Sequence, residues 1–174
     1  MNQMNYLIYI AILAFMFWLI SEIIEIIEGG HNSTVYYMTS VYHILAGFGI
    51  WGLHLLQSHL VINLSLIGTV FISITYLVLA YFPIQVMNSK LSFSEFIKIH
   101  PIYRVPGIIN VIGFIIFGIA IIRIGFFPAW TGVIIILGTI IFAIAMTMKN
   151  HIVVNINNII ISATIIYMCI FGLR

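Results

Sequence analysis

Three glutamates at constant spacing, Glu22, Glu25 and Glu28, interrupt an otherwise apolar run near the start of the chain. On a helix, residues three apart are neighbours, so the three carboxylates occupy one sector, with Glu28 at the membrane edge and Glu22 about two turns deeper. His43 lies about two turns into the next apolar run, measured from the same edge. By depth, Glu22 or Glu25 can meet His43, and a carboxylate beside an imidazole can exchange protons near neutral pH. Other polar residues recur at helical spacing: His151, Asn155, Asn158 and Ser162 at 0, 4, 7 and 11; Ser65, Thr69, Ser73 and Tyr76 at 0, 4, 8 and 11; Tyr36, His43, Gly47 and His54 at 0, 7, 11 and 18. Each set returns to one face of its helix. An ionisable side chain inside a spanning helix costs about 2.5–3.5 kcal/mol on insertion scales, so such faces must meet protein or water rather than lipid. Glu22, Glu25, His43, His151, Asn155 and Asn158 are therefore the candidate binding residues of a polar pocket within a bundle.

Other chemistries leave weaker traces. His43 and His54 sit on one face about 16 Å apart along the axis, whereas bis-histidine haem needs opposing histidines at matching depth, and His31, His59, His100 and His151 all fall near loops. A five-coordinate haem stays open on these residues, as does a metal-dependent enzyme, although no HExxH element, nucleophile elbow or phosphate loop is present. His151-Ile152-Val153-Val154-Asn155 resembles the HxxxN element of the prenyl-endopeptidase-like membrane proteases; the paired-glutamate motif of that group is missing, so no catalytic residue carries over. Cys169 is the single cysteine, which excludes an intrachain disulfide and a cysteine-rich metal site. The sequence names no cofactor.

These residues are positioned by an unusual composition. Of 174 residues, 63% are apolar and 6% charged, where a water-soluble domain carries about a quarter charged residues. Such a chain cannot cover itself in water, which excludes soluble enzymes and nucleic-acid binders and leaves the lipid bilayer as the first partner. At about 20 residues per span, the length allows at most six helices. Apolar runs extend over about 6–27, 35–56, 60–82, 107–122, 131–148 and from His151 to about Leu173. The first carries no positive n-region or cleavage site and reads as a retained helix. Continuous apolar runs without alternation are helices, not barrel strands. The glycines and Ser33-Thr34 after Glu28 mark a helix end and a cap, Gln57-Ser58-His59 forms a tight turn, Pro83 closes the third run, and Lys149-Asn150-His151 is the last turn. In the hydrophilic stretch 88–104, Ser92 and Glu95 have the form of a capping box, with Phe93, Phe96 and Ile97 on one face. The expected fold is all-α: a polytopic transmembrane bundle of six helices, with a short interfacial helix between helices three and four, in a single transmembrane domain spanning 1–174.

Six spans place Lys90, Lys98, Arg104 and Lys149 on one side against Arg123 and Arg174 on the other, so the positive-inside rule puts the first group in the cytoplasm and both termini outside. The cytoplasmic half then holds Glu22, Glu25, His43, Arg104, Asn110, His151, Asn155 and Asn158, and the other half His54, His59, Asn63 and Arg123. An internal echo pairs Phe48-Gly49-Ile50 with Phe117-Gly118-Ile119 and Gly68-Thr69 with Gly138-Thr139, the signature of a parallel duplication of 41–82 and 105–148.

The junction Arg123-Ile124-Gly125-Phe126-Phe127-Pro128-Ala129-Trp130-Thr131-Gly132 resembles the basic-Gly-aromatic-Pro-x-Trp-x-Gly turn of small, uncharacterised multi-helix membrane proteins of bacteria. The resemblance implies an architecture and a bacterial cytoplasmic membrane, with no activity and no functional residues. Physically the junction is a tight turn with an interfacial tryptophan anchor. Two functions fit the residues. In one, the stripes line a cytoplasm-facing pocket that binds or permeates a small solute, proton or amphiphile. In the other, the protein is an accessory subunit whose stripes and Gly47, Gly49, Gly52, Gly113 and Gly118 pack against a partner membrane subunit or a second copy.

Overall fold

In a hydrocarbon layer every backbone N–H and C=O must be satisfied within the segment, and the apolar runs meet that demand as helices. A computed structural model describes residues 3–57 and 62–174. The helices are α1 (Gln3–Glu28), α2 (Ser33–Gln57), α3 (Ile62–Leu79), α4 (Phe82–Ser89), α5 (Phe93–Ile99), α6 (Arg104–Ile124), α7 (Ala129–Thr147) and α8 (His151–Gly172), with a 3₁₀ turn at Pro101–Tyr103 before α6. Among the described residues, six segments are long and apolar enough to cross a membrane, α3 and α4 counting together as one, and all regular structure is helical. Six such helices are the make-up of a multi-pass membrane protein.

Each long helix packs against its neighbour in the chain, α1 on α2, α2 on α3, α3 on α6, α6 on α7 and α7 on α8, and α8 returns to α1. The result is a closed ring. Its interior is filled by large apolar side chains, among them Ile8, Phe15, Ile50, Phe117, Ile121, Ile165 and Met168, all fully buried. Isoleucines such as Ile20, Ile23, Ile140, Ile144, Ile156 and Ile160 face outward, as a lipid-exposed surface allows.

Because lipid is as apolar as leucine, helices in a membrane associate through close packing rather than water exclusion. A Cβ at Gly49 would stand 2.6 Å from the Ala11 Cα, and one at Gly132 would stand 2.6 Å from the Gly118 carbonyl oxygen. Gly47 likewise meets Leu77, Gly52 meets Ile8, and Gly113 meets Phe71 and Ile72. The glycines expected to serve partner helices are used within the chain. The two glycines of the Phe-Gly-Ile echo face different neighbours, Gly49 against α1 and Gly118 against α7.

The connections differ in detail from the sequence expectation. Gly29, at φ +71°, ends α1, but the cap of α2 is Asn32, whose Oδ1 accepts from the Val35 amide at 2.8 Å, rather than Ser33 or Thr34. Asn caps as well as Ser, and it stands one residue earlier. Pro83 does not end helical structure. It occupies the first turn of α4, where its missing N–H has no acceptor to lose. For the same reason Pro106 is tolerated near the start of α6, which begins at Arg104, three residues before the expected run. The interfacial helix forms as expected, as α5. Ser92 caps it, with the Ser92 amide on Glu95 Oε2 at 2.9 Å and the Glu95 amide on Ser92 Oγ at 3.4 Å. The Ser92 hydroxyl, which donates to Glu95 Oε2 at 2.6 Å, and then the Ser92 amide hold the exposed Glu95 carboxyl below the usual carboxylate range. Phe96 of α5 packs on Phe82 and Val86 of α4, which ties the interfacial segment to the bundle. The Gln57-Ser58-His59 turn and the start of the third run lie outside the described residues, apart from Gln57.

Candidate functional site

The three glutamates of α1 have three different fates. Glu28, at the membrane edge, accepts a hydrogen bond from the Asn32 side-chain Nδ2. Glu25 is 7% exposed and stands against the His31 ring, with Nδ1 3.0 Å from Oε1. Glu22, the deepest of the three, is 8% exposed and faces α8. Its Oε1 accepts from the indole Nε1 of Trp18 at 2.6 Å and from Asn158 Nδ2 at 2.9 Å. The amide end of Asn155 lies 3.1 Å from Oε2 and 2.9 Å from the His151 carbonyl oxygen, and donates to both with its nitrogen turned toward them. Three donors therefore surround one carboxyl group. Among the described residues no lysine or arginine approaches Glu22 within ion-pair distance.

Position on each helix explains the convergence. Trp18 is four residues before Glu22, one turn deeper on the same face of α1, and Asn155, Asn158 and Ser162 share one face of α8. Asn155 is 3% exposed, Asn158 is 4% and Ser162 is fully buried, so this face lies against protein. Two oxygens on it, Asn158 Oδ1 and Ser162 Oγ, are buried without a hydrogen-bond partner. Buried polar atoms are nearly always paired, and each exception calls for a reason.

The structure brings together Glu22, Asn155 and Asn158. It does not bring in His43. Tyr42, fully buried, stacks on Trp18 with ring centroids 4.6 Å apart and shares a hydroxyl hydrogen bond with Tyr76. His43 is one residue further along, turned by about 100°, and its ring lies against Tyr42 and Tyr76 while Nδ1 meets the Thr39 carbonyl at 2.7 Å. Equal depth was satisfied, but rotation separates the imidazole from both carboxylates. His151 begins α8 with an exposed side chain and contributes its backbone carbonyl alone. Glu25 closes the outer side of the site through His31, a loop residue that depth and periodicity did not single out.

A second set of polar contacts joins helices elsewhere. His54 Nδ1 and Gln57 Nε2 meet Ser65 Oγ at 2.9 and 3.0 Å. Trp51 Nε1 donates to Ser73 Oγ at 3.0 Å, which in turn donates to the Gly47 carbonyl at 2.6 Å. Asn110 bonds Thr75 at 2.7 Å, and Asn157 bonds the Gly138 carbonyl at 2.9 Å. These neutral bonds act as interhelical fasteners. The α3 stripe of Ser65, Thr69, Ser73 and Tyr76 is buried as its spacing required. His59 lies outside the described residues. Among the described residues no three His, Cys, Asp or Glu side chains cluster as a metal site would need. Two shallow concavities between α7 and α8 are lined by Ile141, Ile144, Val153, Ile156 and neighbours and include none of the predicted site residues.

Sequence reasoning missed Trp18, although its i, i+4 relation to Glu22 was readable, and Asn157, which lies beside the Asn155–Asn158 face. No protein-family model, curated protein or solved structure matches the chain.

Proposed function

We propose that this multi-pass membrane protein binds a proton at the Glu22 carboxyl, in a polar site at the α1–α8 seam that faces the cytoplasm. One observation carries the reading: Glu22 is buried and has no lysine or arginine partner among the described residues, while Trp18, Asn155 and Asn158 hold the carboxyl in place and supply hydrogen bonds but no counter-charge. An unpaired carboxylate taken out of water costs several kcal/mol, and a proton removes that cost. The close wrapping by three side chains favours a ligand as small as a proton over an amphiphile. Packing alone could have used serine and glycine at this seam at lower cost. Lys90, Lys98, Arg104 and Lys149 belong to the same end of the bundle as Glu28 and His31, which supports a cytoplasmic orientation in a bacterial inner membrane. An accessory role gains nothing from the glycines, since Gly47, Gly49, Gly52, Gly113 and Gly118 are taken up by this chain's own helices.

Trp18 supplies the assay, because its indole N–H donates directly to Glu22. In liposomes, with Trp51 and Trp130 replaced by Phe, Trp18 emission should titrate with pH, and the transition should vanish in Glu22→Gln. The other titratable groups near this site are Glu25 and His31 at its outer edge, Tyr42 and His43 of α2, and His151 at the start of α8. Glu25→Gln should leave the transition in place. A transition that persists in Glu22→Gln, or is missing in the parent, overturns the assignment.

A further inference from the structure

The outward side of the α7–α8 hairpin carries a furrow that the ring of helices does not use. Its two concavities, of about 170 and 230 Å³, share Ile141 and Val153 and so form one continuous groove. Ile141, Ile144 and Met148 wall it on the α7 side, and Val153, Ile156 and Ile160 on the α8 side, all of them exposed. Each concavity is smaller than the roughly 300–1,000 Å³ of a site that encloses a compact small molecule. The groove follows α8 from Asn150 to Ile160, about 15 Å along the axis, or about half of a 30 Å hydrocarbon layer. It starts at the polar turn and ends beside the bond from Asn157 to the Gly138 carbonyl. A furrow one leaflet deep and open along its length has the shape of a single acyl chain. Left empty, its walls would forfeit their dispersion contacts.

We propose that the α7–α8 groove holds one anionic phospholipid of the phosphatidylglycerol type, its acyl chain along Ile141, Val153 and Ile156 and its phosphate at Lys149 and Asn150. Lys149 stands at the mouth, between the lining residues Met148 and Asn150, exposed and with no carboxylate within ion-pair distance among the described residues. Asn150 Oδ1 accepts from the Val153 amide at 3.2 Å, which leaves its Nδ2 to donate. An ammonium and an amide N–H only donate, and the free oxygens of a phosphodiester only accept. The net charge of the lipid follows from what is missing. Residues 129–174, which make up α7, α8 and their turn, contain no aspartate or glutamate, so nothing on this hairpin receives the ammonium of a zwitterionic headgroup. A second copy of the chain fits the face less well. Grooves facing each other across a two-fold axis would bring two Lys149 side chains to one seam, where like charges repel. The lipid site is separate from Glu22, which meets the Asn155 and Asn158 face of α8.

The test reconstitutes the protein in nanodiscs of phosphatidylcholine with a stepped fraction of phosphatidylglycerol, and native mass spectrometry counts the lipids that stay on each chain. The expected result is one phosphatidylglycerol per monomer, preferred over phosphatidylcholine by about fivefold, the weight of one basic residue at an anionic surface. Lys149→Gln should remove that preference, and Arg174→Gln, at the far end of the chain, should keep it. Ile156→Trp, at an exposed position, should fill the groove and lower the retention of both lipids while the far-UV circular dichroism stays the same. Equal retention of the two lipids by the parent, or a preference that survives Lys149→Gln, overturns the proposal. So does retention that Ile156→Trp leaves unchanged. A dimer that dissociates in Ile156→Trp would show that a second copy covers this face in place of a lipid, and would overturn it as well.

Discussion

The contact between Glu22 and Asn158 spans 136 positions of sequence and joins the first helix to the last, so its strength measures whether the α1–α8 seam is built around the carboxyl group. The perturbation is a double-mutant cycle of Glu22→Ala and Asn158→Ala. Interhelical side-chain hydrogen bonds in membrane proteins couple by about 0.6 kcal/mol on average and about 1.7 at most, whereas a hydrogen bond to a charged group contributes about 1.5–3 kcal/mol. The 2.9 Å bond has both ends buried but shares Oε1 with Trp18, which divides the acceptor's benefit. We expect a coupling of about 1–1.5 kcal/mol. Reversible unfolding in mixed micelles, followed by far-UV circular dichroism, measures it. Pairing Glu22→Ala with Thr164→Ala is the control, since the Thr164 hydroxyl bonds its own helix at Ile160 and no neighbour. A Glu22–Asn158 coupling no larger than that control would refute the seam as described.

Two further expectations follow from the packing and the caps. Gly49→Val should destabilise the protein by about 1–3 kcal/mol, as overpacking does, because its Cβ meets the α1 backbone at Ala11, while Gly107→Ala, with open space around it, should change little; equal melting shifts for the two would contradict the α1–α2 approach. The capping box of α5 should weaken in acid. Glu95 is held below its ordinary range in the folded state, so its contribution is full above the unfolded carboxylate range and is lost as pH falls through the folded value. The protection of the Ser92 and Glu95 amides in nanodiscs, taken as the intrinsic exchange rate at each pH divided by the measured one, should therefore fall on acidification, and protection that is flat across that range would show that the cap contributes nothing.

What the sequence determined by itself is the set of properties that depend on one helix at a time. Apolar length set the six spans, because a backbone in hydrocarbon has no partner but itself. The 3.6-residue period placed Ser65, Thr69, Ser73 and Tyr76 on one face and Asn155, Asn158 and Ser162 on another, and both faces are buried. The Ser92–Glu95 box was legible because both partners lie within one turn. What only the tertiary structure decided is how each helix is rotated about its own axis against its neighbours. Depth made His43 as good a partner for Glu22 as Asn158; a rotation of about 100° from Tyr42 to His43 turned the imidazole toward Tyr76 and left the carboxylate to α8. The rotations of α2 and α6 likewise committed Gly49 and Gly118 to contacts inside the chain rather than to a partner. Rotation is set by the sum of many weak packing contacts spread over several helices, each about 0.1–0.2 kcal/mol per atom pair. No local pattern encodes that sum, so the pairing of residues 22 and 158 becomes visible only once the ring has closed.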